Sequence, residues 1–135
     1  MEQLNLDTGL RVYKITGGGE LRFNPADPNL YGRFATGAEQ LQDLERTLAE
    51  RGANLSGEEM LALLQEADEK IKGILGEIFG GDNDFHKALG GISLLAVAGN
   101  GKTVAQNLFA ALETVLEAGA QKLVDARVDD LRAGL

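Results

Sequence analysis

The chain has no cysteine and a single histidine, His86. Thiol nucleophiles, disulfides and thiolate metal sites are therefore excluded, and a zinc site, which draws on Cys and His, is left with one such ligand. Positive charge is also scarce: 13 Lys and Arg stand against 21 Asp and Glu, a net charge of -8. Such an acidic surface opposes binding to the phosphate backbone of nucleic acid or to anionic lipid, and it suits a basic partner. No apolar run reaches the 18 or so residues of a membrane span, and the opening Met1-Glu2-Gln3-Leu4-Asn5 has no basic stretch leading into an apolar one. The expectation is a cytoplasmic chain without a secretory leader. What is present, 135 residues with 44% hydrophobic and 25% charged, is the composition of one globular domain, spanning 1–135.

Patterning divides the chain into a short β segment and several helices. Leu10 to Thr16 alternates with period two, Gly17-Gly18-Gly19 offers a turn, and Glu20-Leu21-Arg22-Phe23 alternates again, which predicts a β-hairpin arm over 1–23. A lone hairpin is marginal in water, so Val12, Leu21 and Phe23 need a helical layer or a second chain to pack against. Asp27 and Pro28 form a helix start, and Leu30, Phe34, Leu41, Leu44 and Leu48 share one stripe, predicting a helix over 28–52. Gly32 and Gly37 weaken its first half and predict a bend or break near Thr36-Gly37.

Ser56 and Glu59 make a capping box ahead of a second helix, 57–79, whose apolar positions recur at i, i+3, i+4 and i+7. Its six acids, Glu58, Glu59, Glu66, Asp68, Glu69 and Glu77, are read as a solvated opposite face, with a surface for a basic partner as the alternative. Asp82-Asn83-Asp84 then caps a short turn of helix through Leu89. The run Ile92 to Ala98 fits a buried strand or a short helix equally. A last helix is expected over 103–132, with Val104, Leu108, Leu112 and Val115 on its face, Phe109 and Leu116 widening it, and Gly119 interrupting the stripe so that the tail bends away or projects. The fold class is mainly α (α+β), an N-terminal hairpin followed by three to four helices in a small bundle.

The candidate chemistry is thin. Ala96 to Thr103 fits a relaxed phosphate-loop pattern in which Gly101 and its neighbours would cradle phosphates, Lys102 would reach the terminal ones and Thr103 would hold magnesium. A phosphate-loop fold needs a parallel sheet and a later strand bearing an acid, and the 32 residues after Thr103 read as one helix, so this is rejected in favour of Thr103 capping that helix. Asp82-Asn83-Asp84 opens like a calcium loop, yet His86 and Lys87 stand where Asp or Asn and then Gly are needed. Ser56 and Ser93 are the only serines, neither in a strand-turn-helix elbow, so His86 has no evident nucleophile to serve. No catalytic, cofactor-binding or metal-binding residue is assigned, and the chain is expected not to be an enzyme.

The order of several pieces is similar to that in a known family: Leu4-Asn5-Leu6-Asp7-Thr8-Gly9, then Leu21-Arg22-Phe23-Asn24-Pro25 with Asp27 and Asn29-Leu30, then Ile78-Phe79-Gly80-Gly81, and last Gly99-Asn100-Gly101-Lys102 running into Val104, Asn107, Leu108 and Phe109. Together they resemble small proteins of tailed bacteriophages and prophages, mostly of Gram-positive hosts, described as tail assembly chaperones or as domains of unknown function. The resemblance implies a non-enzymatic protein of the host cytoplasm during phage assembly, one that binds the helical tape-measure protein, or another tail protein, and keeps it soluble. By helix-in-groove packing, the second and last helices would supply the apolar groove, with Leu64, Ile71, Phe79, Leu108, Phe109 and Leu112 as partner-binding residues. Two other classes stay open: a structural tail or virion subunit, in which the chain forms a homo-oligomer, and an acidic anti-defence inhibitor. Nucleic acid and membrane are not expected partners.

Overall fold

The apolar periodicity that predicts three long helices is matched by local signals at each start, and those signals set the boundaries. The computed structural model describes every residue except Ala133 and Leu135. Helix α1 (Pro28–Gly52) begins where Asp27 accepts a hydrogen bond from Asn29 N at 2.9 Å and Pro28 occupies the first turn. Helix α2 (Gly57–Phe79) begins at Ser56, whose hydroxyl accepts from Glu59 N. A single turn, α3 (Phe85–Ala88), is capped by Asp84, and α4 (Val104–Arg132) follows Thr103. Ahead of them, β1 (Arg11–Lys14) pairs antiparallel with β2 (Glu20–Phe23), Arg11 opposite Phe23 and Lys14 opposite Glu20. The chain is thus mainly helical with an N-terminal hairpin.

The hairpin packs on helices. Leu21 and Phe23 are buried, and a chain of rings runs from the hairpin into the core: Tyr13 stacks on Phe23 at 4.9 Å, Phe23 meets Phe79 edge-on at 4.8 Å, and Phe79 lies 5.5 Å from Phe85. Such contacts add about 0.5–1.5 kcal/mol each beyond the area they bury. Asn83 fixes the outer edge of β2. Its side-chain amide accepts from Arg22 N and donates to Arg22 O, both at 2.7 Å, and also donates to Gly80 O, so one amide imitates a neighbouring strand and closes the end of α2. Arg33 Nε donates to Ile78 O at 2.7 Å and serves the same helix end.

Two expectations about glycine are corrected. Helix α1 runs unbroken through Gly32 and Gly37, and Gly37 is buried where a Cβ would collide with the Ile78 side chain. Its missing side chain lets α1 approach α2. Gly119 is likewise more than an interruption of the α4 stripe: it is buried against the Pro25 carbonyl, with no room for a Cβ. Beyond it, Val124, Val128 and Leu131 are exposed.

The run 92–98 is neither strand nor helix. It is a turn-rich loop with one isolated bridge, Val97 to Thr103. Its carbonyls are used by the next helix, because Val104 N donates to Ala96 O at 2.9 Å and Ala105 N to Leu94 O at 2.8 Å. Orphan amides at the start of α4 and irregular carbonyls of the loop thereby satisfy each other.

Candidate functional site

Among the concave surfaces formed by the described residues, three bear on the nominated residues. The largest, about 700 Å³, sits between α2 and the loop after α3. Its floor is polar and tightly paired. Lys72 and Asp68, one helical turn apart, are both 7% exposed. Lys72 Nζ donates to Asp68 Oδ2 at 2.8 Å and to Ile92 O at 2.8 Å, and lies 2.9 Å from His86 Nδ1. An ammonium has three hydrogens and here three partners, so Nδ1 of His86 is the acceptor and its proton sits on Nε2. Asp68 Oδ1 accepts from Leu94 N at 2.7 Å.

This arrangement fastens the loop to α2 and leaves Lys72 no donor for a substrate. Ser93, on the same surface, accepts a hydrogen bond from Leu95 N, and among the described residues no hydrogen bond joins it to His86. The sequence reading that assigns Asp68 to the solvated acidic face is corrected here. The usable signal was positional: Asp68 precedes Ile71 by three and Lys72 precedes Leu75 by three, flanking the buried stripe.

The second surface, about 430 Å³, lies between the inner face of the hairpin and α4, with Tyr13, Ile15, Phe23, Leu108, Leu112 and Val115 among its walls. The Tyr13 hydroxyl is buried without a hydrogen-bond partner among the described residues. The third, about 440 Å³, lies between α1 and α4. Tyr31, Phe34, Phe109, Leu112 and Leu116 line it, and Glu113 and Glu117 stand at its rim. Tyr31 closes one end, its hydroxyl 2.7 Å from Pro25 O and 2.6 Å from Leu116 O. Desolvation raises the pKa of this phenol above 10.0, and a backbone amide of Ala120 partly offsets the effect.

These positions separate the six residues nominated for partner binding. Leu64 is 37% exposed on the first surface, and Phe109 lines the third. Leu108 lines the second, and Leu112 lies between the second and third. Ile71 and Phe79 belong to the buried core, and Phe79 also borders a smaller concavity with Leu10 and Arg22. None of these concave surfaces is lined by α2 and α4 together. The apolar channels beside α4 are completed by α1 and by the hairpin, because the loop 92–98 and α3 fill the space next to α2. Sequence reasoning missed Tyr31 and Phe34 as walls of a channel, since Phe34 reads as part of the α1 stripe and Tyr31 lies beside it.

The backbone amides of the phosphate-loop candidates Gly101, Lys102 and Thr103 are engaged in the loop itself. Gly101 N donates to Ala98 O, Lys102 N to Asn100 Oδ1 and Thr103 N to Gln106 Oε1, while Thr103 Oγ1 accepts from Gln106 N. Thr103 and Gln106 form a reciprocal cap, so the amides of Gly101, Lys102, Thr103 and Gln106 are already bonded. Asp84 caps α3 through Lys87 N. Among the described residues, no three His, Cys, Asp or Glu side chains gather as a metal ligand set, and no helix is long and apolar enough to cross a membrane.

Elsewhere the charge is superficial. Glu66, between Arg51 of α1 and Lys70, has its pKa lowered from 4.5 to about 2 by hydrogen bonds and charge from those two cations. Against protein families, curated proteins and solved structures, the chain has no match.

Proposed function

We propose that the protein is a non-enzymatic assembly factor that holds a helical segment of a partner in the apolar channel between α1 and α4, and that this partner is the tape-measure protein of a tailed phage. The observation that carries the reading is the channel between α1 and α4. Its walls are Tyr31, Phe34, Phe109, Leu112 and Leu116, and its rim is acidic. An amphipathic helix places apolar anchors at i, i+3, i+4 and i+7, a spacing suited to such a channel, and basic residues flanking those anchors would meet Glu113 and Glu117. At the floor of the first surface the ammonium and carboxylate already bond each other, His86 and the loop.

The tape-measure identity rests on the family resemblance and the channel chemistry together. On this reading the protein acts in the cytoplasm of the bacterial host while tails are built. The test is co-expression with the tape-measure protein of the same genome, followed by size exclusion with mass determination. The tape measure is expected to stay soluble and co-elute with this chain. It should precipitate when Phe109→Ser and Leu116→Ser are introduced without loss of helical content. A tape measure that behaves identically with and without the chain overturns the proposal.

A further inference from the structure

The hairpin has one finished edge and one unfinished edge. On β2, Arg22 uses both of its outward backbone groups on the Asn83 amide. Hydrogen-bonded and non-hydrogen-bonded pairs alternate along an antiparallel ladder, and Ile15 N bonds to Gly19 O at the turn. The pairs Val12–Arg22 and Lys14–Glu20 are therefore the non-bonded ones. Val12 and Lys14 consequently direct their N–H and C=O groups away from β2. No other hydrogen bond among the described residues reaches those groups, and Val12 is half exposed.

The chain also carries a segment suited to that edge. Residues 1–10 have no regular structure and are exposed throughout. Leu4 and Leu6 alternate with polar Asn5 and Asp7, the period of a strand with one apolar face. The segment cannot simply cover its own β1, because it runs straight into it and is tied past the end of β2, where Asn24 Nδ2 donates to Thr8 O at 2.9 Å. Charge selects the same pairing. The charged side chains of residues 1–10 are Glu2 and Asp7, both acidic, and those of β1 are Arg11 and Lys14, both basic.

We infer that two copies of this chain associate by strand exchange, residues 2–7 of each adding to the free edge of β1 of the other. Leu4 and Leu6 then enter the channel between the hairpin and α4, where the buried Tyr13 hydroxyl has no partner within its own chain among the described residues. A buried donor in that position calls for an acceptor, and an incoming strand brings backbone carbonyls. The exchange is reciprocal, so one closed pair forms and both open edges are covered. The inference is independent of the tape-measure reading, since it uses the channel on the hairpin side of α4 and leaves the channel on the α1 side open.

Sedimentation equilibrium on the full chain tests it. The wild type is expected to reach twice 14.4 kDa with rising concentration. Leu4→Ser/Leu6→Ser should weaken the association at least about a hundredfold, the minimum for two leucines left in water, with circular dichroism unchanged. Glu2→Lys/Asp7→Lys should weaken it as well, and adding Arg11→Glu/Lys14→Glu to the same chain should restore it. A wild type that stays monomeric at every concentration reached overturns the inference. So does a dimer indifferent to both sets of changes. In either case the co-expression result with the tape measure is unaffected, so the two proposals fail separately.

Discussion

Helices α2 and α4 are similar in length and are built from comparable mixtures of apolar and charged residues, yet the molecule treats them differently. Helix α2 buries eight residues along its course, and its C-terminal end is held by Arg33, Asn83 and the hairpin. Even a lysine and an aspartate on its flank are drawn inward and used to pin the loop 92–96. Helix α4 buries Leu108, Leu112 and Gly119, is bordered on both sides by apolar channels, and after Gly119 shows Val124, Val128 and Leu131 to solvent. The contrast teaches where the chain satisfies its own apolar surface and where it leaves some over. On the proposed reading, the apolar surface left beside α4 is where the partner helix sits, whereas α2 leaves Leu61 and Leu64 exposed.

The comparison breaks most severely at the polar tie of α2. Asp68→Ala leaves the Lys72 ammonium buried without its counter-ion and is expected to cost about 3–5 kcal/mol in chemical denaturation. Asp68→Leu/Lys72→Met should cost less, because no charge is stranded. It still deprives Leu94 N–H of its acceptor, a loss of about 1–3 kcal/mol. If the double variant is as damaging as the single one, the pair matters for its shape and not for its charge.

Gly119 sharpens the other side of the comparison. Gly119→Ala should destabilise by about 1–3 kcal/mol, because the new methyl overlaps the Pro25 carbonyl. The control is Gly73→Ala in α2, where nothing lies within 4 Å and the gain in helix propensity should stabilise by about 0.5–1 kcal/mol. Equal effects at the two positions would mean that α4 is not seated on Pro25.

The contact of α4 with α1 is also visible in alkali. The Tyr31 pKa is raised by burial, so the folded state favours the neutral phenol. Its contribution is complete below 10.0 and is lost as pH rises through the folded value. In a Tyr13→Phe variant, Tyr31 is the sole tyrosine and its absorbance titration should fall above that of the unfolded chain. The smallest effect is expected at Glu66. Its pKa is depressed to about 2, so the tie from α2 to Arg51 is present above 4.5 and is lost as pH falls towards 2. Glu66→Gln should flatten this part of the acid profile, with the small loss of stability falling at neutral pH and little change near pH 2.

Much of this fold is legible in the sequence where local chemistry decides it. Asp27-Pro28, Ser56 with Glu59, and Thr103 mark helix starts through side chain to backbone bonds made within four residues, and those caps form as read, with Gln106 completing the one at Thr103. The hairpin register follows from its turn and its alternation. What escapes is decided by groups distant in sequence. The loop 92–98 has no structure of its own until Asp68 and Lys72 bond it, so its apolar run misleads. Gly37 and Gly119 read as weak points of a helix because the atoms they admit, from Ile78 and Pro25, are invisible to periodicity. For the candidate site, Phe109 and Leu112 were identifiable from the stripe of α4, while the opposite wall, Tyr31 and Phe34, required knowing which helix lies across from it.

The most direct test of a partner surface beside α4 is hydrogen–deuterium exchange on the full chain with and without the tape-measure protein. The account predicts added protection in α4 between residues 104 and 120 and around Tyr31 and Phe34 of α1, with residues 61–72 of α2 unchanged. Protection confined to the surface between α2 and the loop after α3, or no change anywhere, would contradict it.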